Sequence, residues 1–368
     1  VNGRSAIAKE STLVRHAIGL DRAAEWDRLV GLCRQWDVYH SAAYHKLAEL
    51  SGDGAPILIA VTRGSGCIAL PLLLRSVAGI PGLEGAEELD ATSVYGYSGP
   101  ICTESPPDGF LLNSFVEWLN EYLLGQGVVA AFSRLHPLLP QDLLVSGLGG
   151  TAVPVGQTVV LDLSLPEAAQ WAQYRSNHRR DIRRAREAGL TVELDSIWTA
   201  YDEFIEIYEE TMERVGASAE YFFSKDYFAG LKQLLGDHYR LFHVLKKGEI
   251  ICSGLFSLCQ GIVQYHLGGT SVSALRDAPM KLLFEEVRKW AVAAGARLLH
   301  LGGGVGGKED SLFHFKTGFS KRRATFLVWQ RIFDKVRYEG LVAAAGFSDY
   351  SADGYFPAYR AHASTIQR

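Results

Sequence analysis

The chain has 368 residues, with 37 Lys and Arg against 41 Asp and Glu and a formal net charge of −4, which excludes a uniformly basic, histone-like nucleic-acid binder. Apolar residues make up 48 % and charged residues 21 %; this is an ordinary globular balance, and the length suits two domains whose cores need neither disulfides nor metal. The five cysteines, Cys33, Cys67, Cys102, Cys252 and Cys259, are odd in number, widely spaced and without a C-x-x-C, so a zinc ribbon or secreted disulfide framework is not expected. No apolar run approaches the roughly 20 residues of a membrane span. No signal peptide is read at Val1-Asn2-Gly3-Arg4, a start that lacks Met and looks trimmed. Scattered thiols of this kind point to a reducing cytoplasm.

Helical and strand patterns alternate along the chain, the mark of α/β or α+β construction. An amphipathic stretch runs from Ala23 to Cys33, and a second from Tyr39 to Leu50 carries Ala43, Leu47 and Leu50 on one face. Pro56 to Thr62 and Cys67 to Leu74 flank Arg63-Gly64-Ser65-Gly66 and read as a β-hairpin. A glycine-interrupted strand over Val94 to Ile101, a helix from Gly109 to Leu124 and a strand from Val128 to Leu135 follow. An extra helical region spans Ser164 to Gly189, with Ser164 and Glu167 expected as a capping box around Pro166. The order then returns: helix Tyr221 to Leu235, hairpin Tyr239 to Leu245 and Ile250 to Leu258, strand Ile262 to Leu267, helix Met280 to Ala294, strand Leu298 to Leu301. The pair Tyr39/Tyr44 roughly matches Tyr221/Tyr227. A repeat of this length implies two duplicated domains, 1–150 and 151–335. The tail, 336–368, either docks on the first domain or moves freely.

Four segments are able to carry chemistry. The helix Tyr174 to Arg186 holds six arginines, and at 100° per residue Arg175, Arg179, Arg183 and Arg186 share a narrow stripe beside Trp171, His178, Ile182 and Ala185. Guanidinium forks in such a stripe suit phosphates; a solvated face neutralised by nearby acids is the plain alternative. Gly302-Gly303-Gly304-Val305-Gly306-Gly307 follows a strand, but Glu309 stands where a P-loop needs Ser or Thr, and no helix opens directly from it. Such glycines instead let a strand end approach another backbone or a ligand. Asp310 to Phe319 sets Lys316 among Phe313, Phe315 and Phe319, where an ammonium is able to stabilise developing negative charge; a surface lysine is the alternative. Tyr95-Gly96-Tyr97-Ser98-Gly99-Pro100 presents two phenols on an irregular turn. His136, before Pro137, is expected to be structural. No H-E-x-x-H or G-x-S-x-G occurs, and no metal site is expected.

Together these segments resemble the FemABX (Fem-type) transferases, which consist of two tandem GNAT-like domains. The likeness rests on Tyr95-Gly96-Tyr97-Ser98-Gly99-Pro100, beside the family's Tyr-Gly-Gly-Pro turn, and on Arg134 to Leu138 and Arg179 to Gly189. It continues in Tyr265-His266-Leu267-Gly268-Gly269-Thr270, Leu301-Gly302-Gly303 and Phe315-Lys316-Thr317-Gly318-Phe319, in consistent order over about residues 35 to 335. The resemblance implies an α/β (α+β) fold of two tandem GNAT-like domains, with mixed sheets flanked by helices. It implies transfer of an amino acid from aminoacyl-tRNA to an amine of a peptidoglycan precursor, small peptide or nucleoside, forming an amide. On this likeness Lys316 stabilises an oxyanion or substrate phosphate and Phe315 shapes the site. Arg179 and Arg183 bind acceptor phosphates, and Tyr95, Tyr97 and Tyr265 contact the acceptor. Arg175 and Arg186 are offered to tRNA phosphates. No tightly bound cofactor is implied.

The sequence departs from the family in two places. Only about thirty residues separate Asp202 from Leu235, with no sustained heptads, so the coiled-coil arm of some members is absent. The turn also carries Tyr97 and Ser98 in place of the plain form. The rival reading is an acyl-CoA-dependent GNAT N-acyltransferase. Such enzymes cradle pyrophosphate on a glycine-rich loop opening a helix, whereas Leu275 to Met280 and Ser105 to Gly109 here bring acids and prolines. A non-catalytic RNA or glycan-precursor binder is a third class, in which Lys316 is dispensable.

Overall fold

In the computed structural model, which describes residues 12–347 and 354–361, one succession of elements occurs twice. The first run is β1 (Leu13–Ile18), α1 (Ala23–Leu32), α2 (Ala42–Leu50), hairpin β2 (Ala55–Arg63) and β3 (Gly66–Ser76), β4 (Leu89–Thr92), β5 (Ile101–Cys102), α3 (Gly109–Gly125) and β6 (Val128–Arg134). Next come α4 (Asp142–Gly147), β7 (Thr151–Asp162), α5 (Glu167–Ala172) and α6 (Ser176–Glu187). The second run is β8 (Thr191–Asp195), α7 (Tyr201–Val215), α8 (Lys225–Leu235), hairpin β9 (Tyr239–Lys246) and β10 (Glu249–Cys259), β11 (Ile262–Thr270), α9 (Pro279–Ala293) and β12 (Leu298–Gly302). Then follow α10 (Ser311–Lys316), β13 (Arg323–Ile332) and α11 (Lys335–Ala344).

The repeat reaches down to single caps. The Ser41 hydroxyl accepts from the Tyr44 N–H at the start of α2, and the Ser224 hydroxyl accepts from the Tyr227 N–H at the start of α8. A capping hydroxyl of this kind is worth about 1 kcal/mol. It also sets both tyrosines at the same turn of corresponding helices.

All thirteen strands form one sheet, ordered β1-β2-β3-β4-β6-β13-β7-β12-β11-β10-β9-β8, with β5 pairing β3 off this path. The order is a near mirror image about its centre. β7, which leaves β6, pairs with β12 of the second run, with Leu299 opposite Leu161. β13, which follows β12, pairs with β6 of the first run, with Arg331 opposite Ala131. Each run is thus finished by the strand that leaves the other, and β7 and β13 pair at the centre. The exchange satisfies two strand edges that either run alone would expose.

Burial follows the same plan. α3 packs Leu111, Phe115, Leu119 and Leu123 against Ile59, Ile68 and Leu70 of the first hairpin. α9 packs Leu283, Phe284 and Val287 against Phe242, Cys252 and Phe256 of the second. A further core joins the runs: Tyr39, Tyr44, Leu47 and Val94 meet Phe204, Tyr208, Phe228 and Tyr239. At ~1.5–3 kcal/mol for each large apolar side chain buried, this core and the shared sheet make one body of the two runs. α11 and Tyr359 pack on Val77, Ile80, Leu83 and Val129, and Arg360 pairs with Asp90.

The structure departs from sequence expectation at four places. Val94 to Pro100 is a loop, because Gly96 (φ 114°) and Gly99 (φ 82°) take backbone angles a strand does not, and only Ser98 bridges to Leu135. Ser164 does not cap α5; its hydroxyl donates to Asp162, and Glu167 reaches Arg288 at 3.3 Å. The helix expected from Tyr221 begins at Lys225, where Ser224 caps it. α7, fifteen residues long, was not read as an element because its acid-rich face hides the apolar side formed by Phe204, Ile205, Ile207 and Tyr208.

Candidate active site

β12 ends at Gly302 and the chain turns through the glycine loop into α10. The turn is set by Asp310, whose carboxylate accepts from the Phe313 N–H at 2.8 Å and from the Val305 N–H at 2.9 Å. A Cβ on Gly303 would stand 2.8 Å from the Gln157 carbonyl oxygen, so glycine is what lets this loop lie against β7. The loop is a close-packed connection and not a phosphate cradle.

α10 carries Lys316 at its last position, and the side chain turns back under the loop. Its ammonium donates to the Gly303 carbonyl at 2.7 Å and lies 5.6 Å from the centre of the Tyr265 ring. Lys316 is only 6 % exposed, and among the described residues no carboxylate reaches within 4 Å of it. Burial disfavours the charged form and lowers its pKa to about 8, with Asp310 opposing the shift. An ammonium with one carbonyl partner retains donors for an anionic group. Tyr97, Tyr265, Gly303 and Phe315 around it are partly exposed, so it lies one layer below solvent.

The basic helix has a different role from a free arginine stripe. α6 starts at Ser176, and Arg175 precedes it. The Arg175 guanidinium donates to the His314 carbonyl at 3.0 Å and to the Thr317 hydroxyl at 2.7 Å, and its backbone N–H donates to the Gly318 carbonyl. His178 Nε2 donates to the Phe315 carbonyl at 3.0 Å, and a Cβ on Gly318 would collide with its ring. The start of α6 therefore grips the turn that holds Lys316. Arg179 donates to the Ala172 and Tyr174 carbonyls, closing α5. Arg186 pairs with Glu286 at 2.6 Å. Arg183 lies 6.0 Å from the Trp171 ring and stays exposed.

The tyrosines fall into two places. Tyr265 packs edge-on against Phe284 at 4.9 Å, and Phe284 in turn meets Phe315 at 5.8 Å, so the three rings form one wall beside Lys316. Tyr97 meets His300 at 5.3 Å and Phe326 at 5.2 Å and points its hydroxyl toward Gly302. Tyr95 belongs to another cluster, edge-on to Phe223 at 5.5 Å and to His266 at 6.1 Å. There the Tyr227 hydroxyl lies 3.1 Å from His266 Nε2, and burial pushes that imidazole down to about 3. Lys316, Phe315, Tyr265 and Tyr97 are thus brought together, while Tyr95 and the outer arginines lie elsewhere.

Three polar residues at the seam between the runs were not singled out from sequence. The Leu138 N–H donates to His136 Nδ1, so Nε2 carries the proton toward Asp37, 3.3 Å away. Gln264 lies 3.4 Å from the same nitrogen, and its carbonyl oxygen accepts from His300 Nδ1 at 2.8 Å. All four are buried. No motif marks Asp37, Gln264 or His300, because their meeting depends on long-range contacts through His136, in the loop after β6.

The starts of α9 and α3 carry a proline and acids. α9 opens on Pro279, which has no N–H, and Asp277 beside it pairs with Lys246 at 2.5 Å. Glu210 accepts from the Val272 N–H. At α3 the Asp108 carboxylate takes the Phe110 and Leu111 N–H groups.

Comparison with known proteins agrees with this architecture. Residues 172–316 match the family model of an acetyltransferase (GNAT) domain. No curated protein matches the chain in sequence. The crystal structure of FemX superposes with a TM-score of 0.68 at 14 % identity, covering 89 % of this chain and 99 % of that one. L-PGS from Bacillus licheniformis gives a TM-score of 0.53 at 13 % identity, over 94 % and 96 % of the two chains. The C-terminal domain of a putative lysylphosphatidylglycerol synthetase from Agrobacterium fabrum gives 0.51 at 16 %, over 84 % and 91 %. With a GNAT domain across α6 to Lys316 and a repeated α/β scaffold shared with FemX, the chain is an acyltransferase built on a tandem GNAT-like fold.

Proposed function

We propose that this enzyme moves an amino acid from aminoacyl-tRNA to an amine, forming an amide, with a peptidoglycan precursor, small peptide or nucleoside as acceptor. The observation that carries the reading is the buried Lys316 ammonium, which among the described residues has no carboxylate within ion-pair reach and lies beside partly exposed Tyr97 and Tyr265. An aminoacyl ester is already activated, so the protein needs no covalent nucleophile. It has to align ester and amine and to stabilise the tetrahedral oxyanion, and a cation held in a dry setting does the latter well. Phe315, Phe284 and Tyr265 wall the acyl side, and Tyr95 with its ring cluster faces the acceptor. Arg183 offers its exposed guanidinium to phosphate, and Arg175 serves by holding α10. The ordered FemABX-like motifs support the tRNA donor, and so do the carboxylates and proline at the two helix starts, where a CoA pyrophosphate would meet like charge. The division 1–150, 151–335 and tail 336–368, and a cytoplasmic setting with charged tRNA at hand, belong to this reading.

The test is incubation with charged tRNA and candidate amines, with and without RNase, beside parallel reactions with acyl-CoA. Amide formation that RNase abolishes supports the reading. Transfer that survives RNase and requires acyl-CoA replaces it with a CoA-dependent N-acyltransferase.

A further inference from the structure

Gly302 has a φ of 75°, and the point where its Cβ would stand lies 3.4 Å from Lys316 Nζ and 4.0 Å from the Tyr97 hydroxyl oxygen. Among the described residues, apart from its chain neighbours, no other heavy atom comes within 4 Å of that point. An ammonium from the second run and a phenol from the first therefore face the same side of Gly302.

The phenol is held from several sides. Tyr39 at 6.2 Å and His136 at 6.1 Å contact the Tyr97 ring edge-on from the first run, and His300 and Phe326 do so from beyond it. His136 and His300 are themselves fixed through Asp37 and Gln264. A Cβ on Gly96 would overlap the Tyr39 ring at 2.3 Å, so the glycine is what lets the turn press down there. Burial raises the Tyr97 pKa to about 12, and the hydroxyl keeps its proton at neutral pH. Tyr97 is also one of the two residues, with Ser98, by which this turn differs from the plain Tyr-Gly-Gly-Pro form.

We propose that the Tyr97 hydroxyl and the Lys316 ammonium together hold the oxygen of the reacting carbonyl on the side of Gly302 that both face, an inference that rests on the acyl-transfer reading above. The acceptor nitrogen attacks the carbonyl carbon and the C–N bond forms, while the carbonyl π pair moves onto oxygen. That oxygen takes one hydrogen bond from each donor, and both keep their protons. The pair then returns as the bond to the leaving oxygen breaks, and the proton lost by the amine ends on that oxygen. Two preorganised donors at one point are what such a charge requires.

Tyr97→Phe keeps the ring and its four edge contacts and removes only the hydroxyl. Methylphosphonate, whose tetrahedral anionic oxygens imitate the intermediate, is titrated into the protein by calorimetry, a readout independent of the donor. Wild type binds it, Tyr97→Phe binds about 5–30-fold more weakly, and Lys316→Met, which removes the ammonium, does not bind. In turnover, Tyr97→Phe lowers kcat about 10–100-fold with KM within about twofold. An unchanged phosphonate affinity in Tyr97→Phe, or none in wild type, overturns the inference. Slow transfer by Tyr97→Phe from acyl-CoA with none from aminoacyl-tRNA sinks the donor reading and leaves this site standing. Equal transfer from aminoacyl-tRNA by both forms does the reverse. Should Tyr97→Phe fail to fold, Lys316→Met decides: phosphonate binding that survives it sinks the site.

Discussion

Beyond Gln264 and His300 the parallel strands β11 and β12 stop pairing, β11 running on to Thr270 while β12 turns to β7. Beyond Ala91 and Ala131 the parallel strands β4 and β6 stop pairing in the same way. The gap in the first run, between β4 and β6, is filled by its own chain. Val94 and Ser98 are buried in it, and the Gln141 amide donates to the Ser98 and Pro100 carbonyls at 2.7 and 3.0 Å. The gap in the second run holds Lys316 and the partly exposed face of Tyr265. One topology thus yields a plugged half and an open half, and the plug is not idle: it carries Tyr97 to the edge of the other's site. What separates them is charge: the plug's Ser98 and Pro100 carbonyls find a partner at home, only the neutral Ser98 hydroxyl is left without one, and the lysine ammonium keeps donors to spare.

The most severe way to break this contrast is Lys316→Met, expected to lower kcat by about 10²–10³-fold in the charged-tRNA assay. The same change should stabilise the fold. Between the folded pKa of about 8 and the ordinary 10.5, the unfolded chain binds the proton more tightly. This group therefore makes the fold more stable as pH rises through that window, and below it the buried charge costs stability that Met removes. Differential scanning calorimetry at pH 7 should show a Tm higher by about 3 °C; a lower one contradicts the buried-cation account.

Next in size is the pH profile. Loss of the Lys316 proton above about pH 8 should bring the wild-type rate down, by about tenfold one unit beyond its pKa. A plateau through pH 10 would detach the ammonium from the chemistry. Arg175→Ala should then slow kcat by about tenfold with KM little changed, since it loosens the turn beneath Lys316. Arg183→Ala should raise the acceptor's KM and flatten its dependence on salt. Equal behaviour of the two variants would return both to a common stripe. The smallest effect falls in the plugged half. Asp108→Ala removes the cap of α3 and should cost about 1 kcal/mol without altering turnover.

Much of this was readable before folding. The two hairpins, α3, α6 and α9 follow from turn residues and apolar spacing, and Lys316 stood out as the one cation among Phe313, Phe315 and Phe319. Other features were not. Arg175, Arg179 and Arg186 read as phosphate ligands because a helical projection shows which face a guanidinium leaves from, not which carbonyl or carboxylate it meets. Asp37, Gln264 and His300 carry no local pattern: even the nearest pair, Gln264 and His300 across β11 and β12, is 36 residues apart, and Asp37 is far from both in sequence.

Periodicity and caps act over a few residues, so the chain alone determined its repeated helices, its hairpins and the doubled order of elements. The exchange of β7 and β13, the plugging of one gap and the meeting of Tyr97 with Lys316 were decided only in three dimensions. They depend on strand edges that must find partners and on buried polar groups that must be satisfied, and both are settled by whatever residues the finished sheet brings alongside.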